Sequence, residues 1–137
     1  MPDSDDAEQP PHSEPSLRAI AMPADTNPSG DIFGGWLLSQ MDLAGSTVAT
    51  RRAKGRVATV AITSMAFRQP VFTGDEVTCY AEITSIGHTS IAVKIQSWVR
   101  RGIGNEAIKV TEGLFTYVAI GDDRRPRPVP PETDAAT

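Results

Sequence analysis

Two features of this sequence could do chemistry. One is Asp42, a carboxylate inside a stretch of helical periodicity. It stands between Met41 and Leu43, on a stripe with Leu38, Gly45 and Ala49. A carboxylate seldom faces a core unless it is paired or functional. Held out of water, such a group binds a proton more tightly, which suits a general base. A partly exposed Asp at the stripe edge, or one bonded to nearby backbone, would fit the pattern equally well. The other feature is the pair Gly34-Gly35 in the first turn of the same stretch. N–H groups there lack intrahelical partners. Without side chains in the way, a ligand oxygen can come close, and such a site can hold a developing oxyanion. Close packing or a loose helix start would also explain the glycines. Gly34 and Asp42 are eight residues apart, about 12 Å along a helix. That is too far for this Asp to serve its own helix's first turn, so the site needs groups from elsewhere, such as a second subunit.

The remaining reactive inventory is thin. The histidines are His12, in the N-terminal segment, and His88, in a turn. There is no G-x-S-x-G elbow, no H-E-x-x-H and no cysteine pair, so neither a serine hydrolase nor a metal site has a foothold. Gly30, Gly34 and Gly35 do not make a P-loop, because no Lys-Ser/Thr follows. No convincing strand precedes them for a dinucleotide fingerprint. Cys79 lies on the apolar side of an alternating strand and reads as a small buried hydrophobe. Trp36 and Trp98 read as packing residues.

The elements that must position these groups are legible. Residues 33–52 hold no proline, and Leu37, Met41, Ala44 and Val48 form a second stripe beside that of Asp42. The helix therefore presents a wide face of small and apolar residues. Residues 23–30 are turn chemistry. Asp31 stands where an N-cap would stand. Arg51, Arg52 and Lys54 cluster where the helix dipole favours cations, and Gly55 suits a helix stop. Beyond Gly55 the period becomes two. Residues 56–69 and 110–120 read as strands, as do the alternating sets Val77, Cys79, Ala81, Ile83 and Ile91, Val93, Ile95, Ser97, Val99. With a short strand over 17–22, the order is strand, helix, four strands. That order predicts an antiparallel α+β sheet. One helix covers one face, so the other face and the strand edges call for a dimer or larger assembly.

The 137 residues and net charge of −4 fit one acidic domain with no global field for nucleic acid. Residues 1–15 and 122–137 are rich in proline and charge, and read as disordered tails, the second Pro/Arg-rich, around a domain at 16–121. A single cysteine favours a reducing compartment. No signal peptide and no apolar run of about 20 residues is present, so no membrane span and a cytoplasmic location are expected.

Three stretches carry a family resemblance: MPADTNPSGDIFGGWLLSQMD, GRVATVAITSMAFRQPVFTGDEVTCY and IGHTSIAVKIQSWVRR. From residue 17 to about residue 130 the chain resembles the YciA-like acyl-CoA thioesterases of the hotdog superfamily. The resemblance implies a hotdog fold, one long helix wrapped by a curved five-stranded antiparallel sheet. It implies a homodimer as the minimal unit, often assembled into a hexamer as a trimer of dimers, with active sites at the dimer interface. It places the catalytic aspartate on Asp42, an assisting asparagine on Asn27 and the oxyanion N–H groups on Gly34 and Gly35. It places the CoA-contacting turn on Gly87, His88, Thr89 and Ser90. There the sequence departs, with His88 where the family carries arginine. Arg56, and Arg125 and Arg127 of the C-terminal segment, could supply the charge instead. Phe33, Met65 and Phe67 are candidates for the acyl-binding wall. The implied activity is hydrolysis of an acyl-CoA thioester to acid and CoA, with no cofactor beyond the CoA of the substrate. Asp42 would act as general base or as nucleophile. Two alternatives share the fold. A hydratase would need a histidine on the helix, which is missing. A non-catalytic acyl-CoA binding or regulatory module would not need Asp42 or Asn27.

Overall fold

The structure, a computed structural model, describes residues 9–104 and 106–132. The expected tail at residues 1–8 and 133–137 lies outside the described residues. Strand β1 is Leu17–Ile20, helix α1 is Gly34–Ala53, and β2 Val57–Phe67, β3 Glu76–Ile86, β4 Ser90–Arg100 and β5 Ile108–Ala119 follow. All pairings are antiparallel, in the order β1-β3-β4-β5-β2. The single long helix touches all five strands. This is the α+β hotdog architecture that the sequence predicts.

Period two makes the sheet. On β4, Ile91, Val93, Ile95, Ser97 and Val99 are buried while Ala92, Lys94 and Gln96 are not. The buried set faces the small-residue face of α1: Leu37, Met41, Ala44, Gly45, Ala49 and Ala53. Alanines and a glycine there let helix and sheet approach closely. Burial pushes the Cys79 thiol up to about 11, against the weaker opposing effect of its Ser97 hydrogen bond. Cys79 is thus the inert core residue its position suggests. Edge strand β2 differs from the rest. It carries two register shifts and a left-handed residue, Ser64 at φ 57°, and leaves Val60 and Phe67 more than half exposed. Nothing among the described residues pairs with its outer edge.

Both expected helix caps are corrected. Asp31 is not the N-cap; that position is Phe33, which offers no side-chain cap. The reason is Asn27. Its side-chain oxygen accepts the N–H groups of Ser29 (2.9 Å) and Asp31 (3.1 Å), and its own N–H reaches Asp31 O at 2.6 Å. The closed turn holds Asp31 before the helix. At the other end Lys54, not Gly55, takes the left-handed conformation at φ 57°. Gly55 meets a different need, because a Cβ there would lie 2.6 Å from the Arg127 guanidinium.

That contact corrects the disordered C-terminal tail as well. Residues 121–132 are described and docked. Arg127 Nη2 donates to Ala53 O at 2.9 Å and its Nε to Ile120 O at 3.0 Å. Arg52 Nη1 donates to Pro130 O, Val129 N–H to His88 O, and Val129 packs on the core. Carbonyls at a helix C-terminus lack intrahelical donors, and cations satisfy them. Composition favoured disorder, but these orphan acceptors reward order. Arg127→Ala should lower stability by about 1–3 kcal/mol, since charged donors to backbone are worth that much. Urea unfolding monitored at the tryptophans measures it.

Candidate active site

Asp42 sits midway along α1, half-buried. Thr59 Oγ1 on β2 donates to its Oδ1 at 2.8 Å, and the Tyr117 hydroxyl on β5 donates to the same oxygen at 3.0 Å. Tyr117 also lies 3.1 Å from the Asp42 backbone oxygen. Thr59 and Tyr117 face each other across the β2–β5 ladder, so the two donors converge by register. Oδ2 has no hydrogen-bond partner among the described residues. One carboxylate oxygen is held and the other is open. This is more than an exposed Asp at a stripe edge. Neither Thr59 nor Tyr117 emerged from the sequence. A signal existed: a tyrosine on the inward stripe of a strand needs a partner for its hydroxyl, and a mid-helix Asp needs donors.

The helix start forms a second locus. The N–H groups of Gly34 and Gly35 have no partner among the described residues. A Cβ at Gly35 would meet nothing within 4 Å, and at Gly34 only the Phe67 ring at 3.8 Å. Packing inside the chain therefore does not require glycine at either place. Gly34 shares a cavity of about 350 Å³ with Asn27, Phe33, Phe67, Pro70 and Val71. The far wall is braced. Buried Asp75 accepts Phe72 N–H at 2.9 Å and Arg101 Nε at 3.1 Å, Arg101 also donates to Pro70 O, and its guanidinium lies 4.6 Å from the Phe72 ring centroid. Val71 O then accepts Ile32 N–H, which ties this loop to the helix start.

The sequence candidates fall into two groups. Asn27, Phe33, Gly34 and Phe67 gather around one cavity at one end of the molecule, with Gly35 the next residue of the helix. Asp42 gathers with Thr59 and Tyr117 near the other, where β5 runs out between Arg56 and Thr89. There Ile120 N–H bonds Arg56 O and Ala119 N–H bonds Thr89 O. The turn at Gly87, His88, Thr89 and Ser90 closes this end, with Gly87 N–H on Ser90 O at 2.8 Å. Thr59 and Phe67 are eight residue steps apart along β2, roughly 25 Å. Within one chain the two groups do not meet. Met65 joins neither, because its side chain fills the space left by Gly113. Arg127 is committed to backbone carbonyls and is removed as a source of free charge. A larger depression of about 740 Å³, lined by Arg68, Trp98, Arg100 and Lys109, holds none of the candidate residues.

The chain is similar to known proteins over most of its length. Residues 29–103 match the model of the thioesterase superfamily. The chain belongs to that superfamily. The match to the acyl-CoA thioester hydrolase YciA of Salmonella typhimurium is 51% identical over 124 residues, covering 88% of this chain and 92% of the relative. For the Escherichia coli K12 protein of the same name the figures are 48% over 126 residues, 89% and 95%. This places the chain in the YciA-like branch of the superfamily. Among solved structures, a hexameric thioesterase from Yersinia pestis superposes with a TM-score of 0.84 at 48% identity, covering 89% of this chain and 99% of that one. An acyl-CoA hydrolase from Staphylococcus aureus, solved with butyryl-CoA and CoA, gives 0.77 at 29% identity, covering 86% and 74%.

Because nothing in the chain fills the space before Gly35, Gly35→Ala tests what does. The substitution should leave stability unchanged or raise it by up to about 1 kcal/mol, since alanine is the better helix former. It should nonetheless depress activity. Thermal unfolding and turnover measured on one preparation separate the two effects.

Proposed function

We propose that the chain hydrolyses acyl-CoA thioesters, with Asp42 as the catalytic carboxylate and the Gly34 and Gly35 N–H groups as the oxyanion hole. The half-tethered Asp42, one oxygen held by Thr59 and Tyr117 and the other open, carries the reading. Asp42 takes a proton from water as the water oxygen attacks the thioester carbonyl carbon. The carbonyl oxygen gains negative charge against the two N–H groups, where fixed donors stabilise it most. The intermediate collapses by breaking the carbon–sulfur bond, and the sulfur departs with the electron pair. A thiol near pKa ~8.5 leaves as thiolate, so no separate strong acid is needed, which suits a site without histidine. Direct attack by Asp42, giving an anhydride that water then opens, uses the same groups. CoA enters only as part of the substrate, and no other cofactor takes part.

The two groups of site residues would meet across a homodimer, the helix start and Asn27 of one subunit facing Asp42 of the other. Three observations favour this: the separation along β2, the unpaired edge of that strand with Val60 and Phe67 exposed, and hexameric relatives. Two variants of the Staphylococcus aureus enzyme replace an asparagine and a threonine that stand as far apart in that sequence as Asn27 and Thr59 do here. Phe33 and Phe67 suit the acyl wall. The turn at Gly87, His88, Thr89 and Ser90, with Arg56 and Arg125, would receive the CoA phosphates. A cytoplasmic location fits a CoA-dependent substrate; among the described residues no helix is long and apolar enough to cross a membrane.

Asp42→Asn should lose nearly all thiol release from acyl-CoA while retaining CoA binding. Full activity in that variant sinks the assignment. Absence of release by the unmodified protein over all acyl lengths would favour a binding module. Mixing Asp42→Asn subunits with Asn27→Ala subunits, each inactive alone, should restore activity, because one of the two sites in a hybrid dimer is intact. A mixture that stays inactive would refute the shared site.

A further inference from the structure

Two residues that the outlined hydrolysis does not call on, Gly45 and Tyr117, form a unit with Asp42. Tyr117 is fully buried on the inward face of β5. Its ring lies nearly parallel to that of Phe115, with centroids 6.5 Å apart and planes at 15°. A buried hydroxyl must find a partner, and this one finds Asp42, at both the side-chain and the backbone oxygen. It gets there through Gly45. A Cβ at Gly45 would run into the Tyr117 hydroxyl and lie 2.5 Å from Ile95 Cδ1. The glycine belongs to the small-residue stripe of α1, but its particular use is to let a phenol cross to the helix. Burial, then the Asp42 charge, then the hydrogen bond itself raise the phenol's pKa, so it remains a donor throughout the working pH range.

We infer that Tyr117 is a positioning residue for the reaction: its hydroxyl, admitted by Gly45, fixes one carboxylate oxygen of Asp42 and so sets where the other stands. The inference rests on the reading of Asp42 as the catalytic carboxylate. The physical content is rotameric. An Asp side chain on a helix has several rotamers available. Two donors on different strands, Thr59 on β2 and Tyr117 on β5, leave one arrangement in which both bonds form. Misplacement of a reacting group by an ångström is costly in rate. The polar groups facing the carboxylate are these two hydroxyls, and among the described residues no charged side chain bonds to it.

The test is Tyr117→Phe in the full-length assembly, with kcat, KM and the melting temperature all measured. A positioning role predicts a fall in kcat of about tenfold to a hundredfold, the value of a hydrogen bond to a charged group. KM should change little. Gly45→Ala keeps the hydroxyl but displaces it, and should show the same kinetic signature. A purely structural tyrosine would lower the melting temperature in both variants and leave kcat and KM of the folded enzyme as they were. That result overturns the inference. If Tyr117→Phe does not fold, the Gly45→Ala variant decides by the same criterion. Asp42→Asn, run in parallel, keeps the two levels apart. Unchanged Tyr117→Phe kinetics beside an inactive Asp42→Asn refutes only the positioning role, whereas an active Asp42→Asn removes the reading beneath it.

Discussion

The crossing of α1 over β5 at Gly45 is the contact on which the rest of the structure depends. A helix with bulky residues at that position would stand off the sheet. Gly45, with Ala44 and Ala49 beside it, lets the sheet come close enough for a strand's phenol to touch the helix backbone. The same approach buries the inward stripes of β4 and β5 and closes the core. A polar contact at the centre of such a core is costly unless every member is satisfied. Here it is satisfied: no buried side-chain nitrogen or oxygen among the described residues lacks a partner. The carboxylate is the half-buried end of that network, which is why one of its oxygens is spent on structure and the other is not.

The molecule's two ends are finished in opposite ways. At the end where α1 stops, orphan carbonyls meet arginines, and the 121–132 segment folds back to close the structure. At the end where α1 starts, no side chain among the described residues caps the helix. Asn27 and the Asp75–Arg101 brace hold the surrounding loops rigid but leave the first N–H groups open, with a cavity before them. The irregular β2 edge, with its exposed Val60 and Phe67, is the other unfinished surface. In one chain both are incomplete, and the proposed homodimer is the arrangement that would complete them together.

Much of this was legible in the sequence. Small residues at helical spacing over residues 33–52 could only make a helix that approaches its sheet closely, and period-two runs of Val, Ile and Thr could only make strands. The two chemical loci, Asp42 and the Gly34-Gly35 pair, stood out by residue type. Their separation along the helix followed from its rise alone. Other features were not legible. Asp31 read as a cap because it had the right type in the right place, but the Asn27 turn used its backbone instead. Arg127 read as spare charge in a disordered tail, because composition cannot show that unpaired carbonyls lie within its reach.

Sequence by itself therefore determined the elements, their order, and the residue types available for chemistry, since these depend on local periodicity and on what a side chain is. Tertiary structure alone decided the environment of Asp42. Thr59 and Tyr117 are far from it in the chain and are brought to one oxygen by the β2–β5 register and by the space at Gly45. Strand register and packing distance arise between elements, so no local pattern records them.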